Sequence, residues 1–307
     1  MRIAMMGSGG IGGYFGGRLA AAGTDVTFIA RGRHLAAMRE TGLRLDSRDR
    51  GDATIHPVNA TDDPASIGPV DYVIIGVKLW DTEDVGRSIL PMLGPDTAIL
   101  SLQNGVDCDD ILAPIVGRER LISGVAFIAS SISEPGVIRH IGTLHRIVMG
   151  EPDGTLSPRL TALQDIMSKA GLTAEISDDI QRTLWEKFVF LVGLSSTTTL
   201  MRTTLGPIRD NPESRELLFN VMRETTAVGR SLGINLPADF AETRLPFADG
   251  LPDDMTSSMH HDFEAGNKLE LPWLAGTVVR FGREAGIETP VCQTVYAALL
   301  PKAGGAV

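Results

Sequence analysis

The first half of the chain alternates short apolar runs with amphipathic stretches. The runs "RIAMM", "DVTFIA", "DYVIIGV" and "TAILSLQ" have the length and composition of buried strands, and a stretch with helical spacing follows each of them. The first of these helices is predicted from about Gly10 to Ala22. Between Gly124 and Gly150 the apolar segments are shorter, which predicts an antiparallel extension. Strands that alternate with helices are otherwise typical of a parallel sheet covered by helices on both faces.

Beyond Ser177 the strand pattern disappears and only helical spacing remains. Asp178, with Gln181 three residues later, has the form of a capping box, so a long helix is expected to begin here. The pattern predicts two domains, residues 1–177 and residues 178–307. The helices of the second domain are predicted at about 179–195, 212–232, 238–245, 256–265, 271–285 and 291–301.

Composition narrows the class of protein. A length of 307 residues, with 43% hydrophobic and 21% charged residues, is typical of a globular protein with two domains. A net charge of −10 opposes binding to nucleic acid or to an anionic membrane, although a local basic pocket for a phosphorylated cofactor is compatible with it.

Cys108 and Cys292 belong to no Cys/His cluster, so no metal site is expected. The start of the chain lacks a signal-peptide pattern and no run is long enough to span a bilayer, so a cytoplasmic protein is expected.

A glycine-rich turn follows the first predicted strand. It has GxGxxG spacing and stands at the head of a helix, where backbone N–H groups can approach a dinucleotide pyrophosphate. With the α/β pattern, this turn predicts an N-terminal Rossmann-type dinucleotide-binding domain, followed by an all-α C-terminal domain. The alternative is a glycine motif that only packs the helix. The residues predicted to contact the cofactor are Gly7, Ser8, Gly9, Gly10, Ile11 and Gly12.

The end of the second predicted strand indicates which dinucleotide is bound. An acidic residue there would favour NAD, but this strand ends at Arg31, with Arg33 close behind. Arginine pairs well with a 2′-phosphate, which predicts NADP(H) as the cofactor. The alternative is that both arginines are only solvated loop residues.

Two polar residues follow the third and fourth strands of the predicted core. Lys78 stands in "GVKLW" and Asn104 in "SLQNGVD". Ligands of open α/β sheets lie beyond the carboxyl ends of the strands, so both residues are candidates to contact cofactor or substrate. Lys78 could equally be a surface lysine, and Asn104 a turn residue.

Lys187 stands beside a long apolar run in "LWEKFVFLVGLSSTTTL". Considered alone, it has the pattern of a lysine whose stem lies along apolar surface while its ammonium stays hydrated. The alternative is an ammonium held inside a reaction site, and the local spacing does not decide between the two.

Seven motifs along the chain resemble those of the ketopantoate reductase family, the 2-dehydropantoate 2-reductases, in the family's order. They are "GSGGIGGYFGGRLAAAG", the arginine after the second strand, "GVK", "LQNGVD", "LWEKF", "SSMHHDFEAGNKLEL" and "GREAGIETPVCQTVY".

The resemblance implies a role for each matching residue. Lys187 matches the catalytic lysine of the family, and Glu270 matches the acid that follows the "SSM" segment and also contacts the cofactor. Ser258 matches a serine that holds the substrate. Asn104 matches the asparagine near substrate and nicotinamide, and Lys78 and Arg31 match cofactor contacts. The activity implied is NADPH-dependent reduction of ketopantoate to pantoate, in pantothenate biosynthesis, in a cleft between the two domains.

The chain departs from the family beyond Lys187. Family members that reduce ketopantoate usually carry asparagines four and eight residues after the lysine, where this chain has Leu191 and Ser195. Leu191 cannot donate a hydrogen bond, which favours a less polar or bulkier 2-oxo acid as an alternative substrate. Ser195 and Ser196 could replace the lost amides, or could only bond the last carbonyls of a helix that ends there.

The sequence is also compatible with a protein that is not an enzyme. A non-catalytic NADP(H)-binding sensor would share the cofactor motifs. His260 and His261 are adjacent, so they point in different directions on a helix and predict no metal site. The expected partner is a small 2-oxo acid, with neither nucleic acid nor membrane, and a homodimer is compatible with the sequence.

Overall fold

The structure is a computed structural model, and it describes residues 1–305. The chain forms two compact units, Met1–Thr183 and Leu184–Val307. The division falls within one long helix, whereas the sequence pattern puts the boundary before that helix, after residue 177. The predicted boundary stays a prediction.

The first unit contains one ten-stranded sheet and five helices. Its strands are β1 (Arg2–Met6), β2 (Asp25–Ile29), β3 (Leu43–Asp46), β4 (Ala53–Ile55), β5 (Asn59–Thr61), β6 (Val70–Ile75), β7 (Leu93–Ser101), β8 (Leu121–Glu134), β9 (Val137–Gly150) and β10 (Thr173–Ile176). Its helices are α1 (Gly10–Ala21), α2 (Gly32–Thr41), α3 (Thr82–Ser88), α4 (Cys108–Val116) and α5 (Pro158–Lys169).

The strand order is β4-β3-β9-β8-β7-β6-β1-β2-β5, and β10 pairs with β9. The strands from β8 to β5 in this order are parallel, while β8 and β9 form a long antiparallel hairpin. In β1, Ile3 and Met5 belong to the core on one face of the sheet, while Ala4 and Met6 belong to the core on the other. Both faces are therefore covered, as the alternation of strands and helices predicts.

The second unit is helical. Its helices are α6 (Ile180–Met201), which begins in the first unit, α7 (Leu205–Asp210), α8 (Pro212–Ser231), α9 (Phe240–Asp249), α10 (Ser258–Glu264), α11 (Ala275–Ala285) and α12 (Pro290–Leu299). A parallel-sheet domain followed by a helical domain confirms the predicted fold class. Among the helices in residues 1–305, none is long and apolar enough to cross a membrane.

The start and end of α6 differ from the prediction. The residue that caps the helix is Asp179, whose carboxylate accepts the backbone N–H of Arg182 at 3.0 Å, so the predicted cap at Asp178 is wrong by one residue. The helix continues to Met201, well past the predicted end at residue 195. Leu194 and the serines after it therefore lie inside the helix, and they are buried.

Candidate active site

Three glycines of the turn each have a different structural role. Gly7 has a φ of +93°, which glycine adopts without strain. A Cβ on Gly12 would lie 2.0 Å from the carbonyl oxygen of Gly7, so only glycine lets α1 approach the turn this closely. A Cβ on Gly9 would meet no atom within 4 Å, so the backbone there is open to a ligand. A tight turn, an open backbone and close helix packing are what a bound pyrophosphate needs, and the turn fits a dinucleotide.

Neighbouring residues of the turn hold it in place. Ser8 is buried, and both its backbone N–H and its hydroxyl donate to the carbonyl of Ile29, at 3.1 Å and 3.0 Å. A Cβ on Gly10 would lie 2.2 Å from the carbonyl oxygen of Ser130, and Ile11 packs against the core. The cofactor contacts of all six turn residues, from Gly7 to Gly12, stay predictions.

The candidate polar residues of the first unit follow adjacent parallel strands. The order β7-β6-β1-β2 puts Asn104, Lys78, the glycine turn and Arg31 after four neighbouring strands, all at the carboxyl edge of the sheet. The chain leaves β1 with β2 on one side and β6 on the other, and such a reversal of strand order is where α/β proteins bind dinucleotides.

Arg31 is exposed at the start of α2, immediately before Gly32, which has a φ of +57°. The first turn of α2 contains no acidic residue, and Arg33 there is also exposed. A helix N-terminus with two arginines attracts an anion. The surroundings of Arg31 are therefore compatible with a 2′-phosphate.

Gln103 is a residue of this edge that the sequence reasoning missed. Its side chain is only 5% exposed, and its amide nitrogen donates to the hydroxyl of Thr82 at 2.8 Å and lies 3.5 Å from the carbonyl of Lys78. Its amide oxygen accepts the hydroxyl of Ser101 at 3.1 Å. Gln103 thus ties the loop of Lys78 to the loop of Asn104. The only signal in the sequence was its position inside the motif "LQNGVD".

In the second unit, Lys187 and Glu270 interact electrostatically. Lys187 is half-buried on α6, and Glu270 is buried at 4% exposure. Burial lowers the pKa of Lys187 from 10.5 to about 8, and attraction to the Glu270 carboxylate opposes this decrease. A fully hydrated surface ammonium would keep its ordinary pKa. The pairing therefore favours the hypothesis of an ammonium held inside a site.

This pKa leads to a pH prediction. If the charged ammonium of Lys187 is the active form, kcat/KM should fall as the pH rises through about 8, because a lysine loses its charge above its pKa. In Glu270→Gln the attraction that raises the pKa is lost, so the fall should move to lower pH. Rates measured from pH 6 to 10 in both proteins check this, and an unshifted profile in Glu270→Gln would speak against the pairing.

The side chains beyond Lys187 on α6 occupy different faces of the helix. At 100° per residue, Leu191 lies about 40° and Ser195 about 80° from Lys187, whereas Ser196 lies about 180° away. Leu191 is half-buried and Ser195 is 1% exposed. The hydroxyls of Ser195 and Ser196 have no hydrogen-bond partner among residues 1–305. Of the two serines, only Ser195 is near the face of Lys187.

The hypothesis that these serines bond the last carbonyls of the helix is wrong, because the helix does not end there. Two threonines of the same segment instead bond carbonyls inside the helix. Thr197 donates to the carbonyl of Gly193 at 2.9 Å, and Thr198 donates to that of Leu194 at 2.6 Å.

Ser258 is exposed at the first position of α10, and Ser257 caps that helix by accepting the N–H of His260 at 3.1 Å. His260 is buried and bonds the carbonyl of Thr198 through Nδ1 at 2.9 Å, whereas His261 is exposed. In the described part of the chain, no group of three or more His, Cys, Asp or Glu could hold a metal ion.

Comparison with known protein families decides the assignment. The family model described as "Ketopantoate reductase PanE/ApbA" matches residues 3–154, and "Ketopantoate reductase PanE/ApbA C terminal" matches residues 179–303. The chain belongs to the ketopantoate reductase family. Ketopantoate reductases are NADPH-dependent oxidoreductases that act on a CH–OH group, which confirms the resemblance, the predicted enzyme class and the predicted cofactor.

Individual relatives agree with the ketopantoate reductase assignment. A 2-dehydropantoate 2-reductase of Mesorhizobium japonicum is 33% identical over 318 residues, 97% of this chain and 96% of the relative. The crystal structure of 2-dehydropantoate 2-reductase from Geobacter metallireducens has a TM-score of 0.91 and 32% identity, covering 98% of this chain and 99% of that one. D-mandelate dehydrogenase with NADH and anilino(oxo)acetate, 21% identical over 99% of this chain and 98% of that one, has a TM-score of 0.89 and shows the shared fold.

Proposed function

We propose that this ketopantoate reductase homologue uses NADPH to reduce the ketone of a 2-oxo acid to a 2-hydroxy acid, with ketopantoate as the first substrate and a role in pantothenate biosynthesis. The pairing of Lys187 with the buried Glu270 carries this proposal, because the burial lowers the pKa of the lysine to about 8. An acid with a pKa near the working pH transfers protons efficiently.

The chemistry needs a cation at the carbonyl oxygen. NADPH supplies a hydride to the ketone carbon, and negative charge then develops on the oxygen. The ammonium of Lys187 stabilises this charge and donates the proton, while the carboxylate of Glu270 keeps the ammonium charged. Electrostatic stabilisation of this kind contributes about 3 to 4 kcal/mol, and acid catalysis about 10² to 10⁴ in rate.

Other residues bind and orient the reactants in the proposed reaction. Asn104 orients the carbonyl and the nicotinamide, and Ser258 holds the substrate carboxylate. Lys78 and Arg31 contact the cofactor phosphates, and Arg31 makes the chain prefer NADPH over NADH. Support comes from Arg31, Lys78 and Asn104, which follow neighbouring strands at the carboxyl edge of the sheet.

A second candidate is a paralogous reductase for a less polar or bulkier 2-oxo acid. Leu191 favours it, because this apolar side chain lies one turn from Lys187, about 40° around the helix. A substrate hydroxyl left unpaired beside Leu191 would cost about 1 to 3 kcal/mol. Ser195 offers one hydroxyl in compensation, and this hydroxyl has no partner in residues 1–305.

One pair of substrates separates these candidates. Trimethylpyruvate differs from ketopantoate only by a hydrogen in place of the terminal hydroxyl. When NADPH oxidation is measured with each of the two substrates, the unmodified enzyme should turn over ketopantoate. Leu191→Asn should raise kcat/KM for ketopantoate about tenfold and barely change kcat/KM for trimethylpyruvate. A higher kcat/KM of the unmodified enzyme for trimethylpyruvate would favour the second candidate. Tight NADPH binding without turnover of any 2-oxo acid would favour the non-catalytic sensor.

Two further properties accompany the proposal. We also propose a cytoplasmic location, which fits the two free, buried cysteines, Cys108 and Cys292. A homodimer stays a prediction, and its test is the mass of the protein in solution.

A further inference from the structure

The segment between α9 and α10, residues 250–257, is tied by its backbone to α7. The N–H of Leu205 donates to the carbonyl of Met255 at 2.9 Å, and the N–H of Gly206 donates to the carbonyl of Asp253 at 2.9 Å. Both N–H groups lie in the first turn of α7, where a helix provides no partner of its own. A Cβ on Gly206 would lie 2.9 Å from the Cβ of Asp253, so the close approach depends on glycine.

Arg209 fixes the start of the same segment. Its Nη1 bonds the carbonyls of Ala248 at 3.1 Å, Asp249 at 3.1 Å and Leu251 at 3.0 Å, and its Nη2 pairs with the carboxylate of Asp253. Only 16% of the Arg209 side chain is exposed. The first two carbonyls belong to the last turn of α9, where a cation is favourable. One guanidinium thus joins the end of α9 to the segment that follows it.

The end of the segment is held by α6. The hydroxyl of Thr198 lies 3.4 Å from that of Ser257, the residue that caps α10. His260 adds a bond from Nδ1 to the carbonyl of Thr198, and a carbonyl only accepts, so Nδ1 carries the proton. Ser258 therefore follows a segment that is fixed at both ends.

We propose that Arg209 is a positioning residue that sets the place of Ser258, and through it the place of the substrate carboxylate. This inference rests on the proposed function, in which Ser258 holds that carboxylate. Ser258 is exposed, so its place depends on the backbone that leads to it. A guanidinium donates in several directions from one plane, whereas a lysine ammonium is a compact charge that cannot reproduce this set of bonds.

The test is the steady-state kinetics of Arg209→Lys. KM for the 2-oxo acid should rise about tenfold, while kcat and the Kd for NADPH stay within about twofold, because only carboxylate binding is loosened. Arg215→Lys is the matched control. Arg215 pairs with the carboxylate of Asp249 on the surface and bonds none of the three carbonyls, so its KM should stay within about twofold.

Asp253→Asn provides a second variant in case Arg209→Lys folds poorly. It weakens the same contact from an exposed partner, and KM should rise about twofold to threefold. Thermal unfolding measured on all variants separates a loss of stability from a change in KM. If Arg209→Lys folds and its KM is unchanged, the inference is overturned. If Arg209→Lys does not fold, an unchanged KM in Asp253→Asn overturns it instead.

A double-mutant cycle with Ser258→Ala shows whether Arg209 acts through Ser258. Ser258→Ala should raise KM about tenfold, and the double variant should show little further increase, because residues that act through one contact are not additive. Additive increases would overturn the positioning role and leave the role of Ser258 intact. An unchanged KM in Ser258→Ala would overturn that role of Ser258 in the proposed function, and the inference with it.

Discussion

Lys187→Ala should lower kcat at least about 10²-fold while the Kd for NADPH barely changes. In the proposed reaction, alanine removes the cation that stabilises the developing alkoxide and the acid that protonates it, and both act in the transition state. The cofactor turn at Gly7, Gly9 and Gly12 belongs to the other unit and keeps its geometry. Steady-state rates and NADPH titration measure the two effects separately.

The surface lysine Lys169, at the end of α5, provides the control for that experiment. It is exposed, so Lys169→Ala should leave kcat within about twofold. Lys187→Arg keeps a cation but has too high a pKa to give up its proton readily, so it should recover only part of the rate. If kcat of Lys187→Ala equals that of the unmodified enzyme, Lys187 is not catalytic, and the hydrated surface lysine is the better interpretation.

Arg31→Asp should weaken NADPH binding about 100-fold, which corresponds to about 2.7 kcal/mol, and NADH binding by less than about threefold. Two effects add for NADPH: the proposed charge-assisted bond between Arg31 and the 2′-phosphate is lost, and the new carboxylate repels that phosphate. NADH has a 2′-hydroxyl at this position, which can donate a hydrogen bond to the carboxylate of an aspartate. Titration of both dinucleotides into the variant measures the ratio.

Arg33→Asp distinguishes the two neighbouring arginines. We expect a smaller loss of NADPH affinity, about tenfold or less, because Arg33 is the second residue of α2, two positions beyond the cap at Arg31. Equal losses of NADPH and NADH in Arg31→Asp would remove the 2′-phosphate role and leave Arg31 as a solvated loop residue.

The alternation of strands and helices was enough to predict the α/β unit and the helical unit. It missed β3, β4 and β5, which have only three or four residues and too few positions to establish a period. It also missed α7, a six-residue helix whose first turn is satisfied by the distant carbonyls of Asp253 and Met255. Such contacts depend on tertiary structure, which local spacing does not contain.

The end of α6 was mispredicted because serine and threonine favour helix ends. Here Thr197 and Thr198 bond carbonyls within the helix, and packing buries the whole run from Val192 to Thr199. Tertiary burial outweighed local propensity. The consequence for the site is that Ser195 and Ser196 face different sides of one continuous helix.

The sequence predicted some residues of the candidate site and missed others. Motif order identified Lys187 and Glu270, and their electrostatic interaction is visible in the structure. Gln103 stands inside "LQNGVD" and Arg209 in no motif, and neither was predicted, because their contacts are with segments distant in sequence. Residues of this kind become visible only when the contacts are known.

The proposed reaction transfers hydride from NADPH to a 2-oxo acid. NADPH with deuterium in both C4 positions tests it most directly, because either hydride stereochemistry then labels the product. We predict that mass spectrometry finds one deuterium at C2 of the 2-hydroxy acid. Over the same period, Lys187→Ala should form far less of this labelled product. Tight NADPH binding without deuterium in any 2-hydroxy acid would contradict the claim and identify a non-catalytic NADP(H)-binding protein.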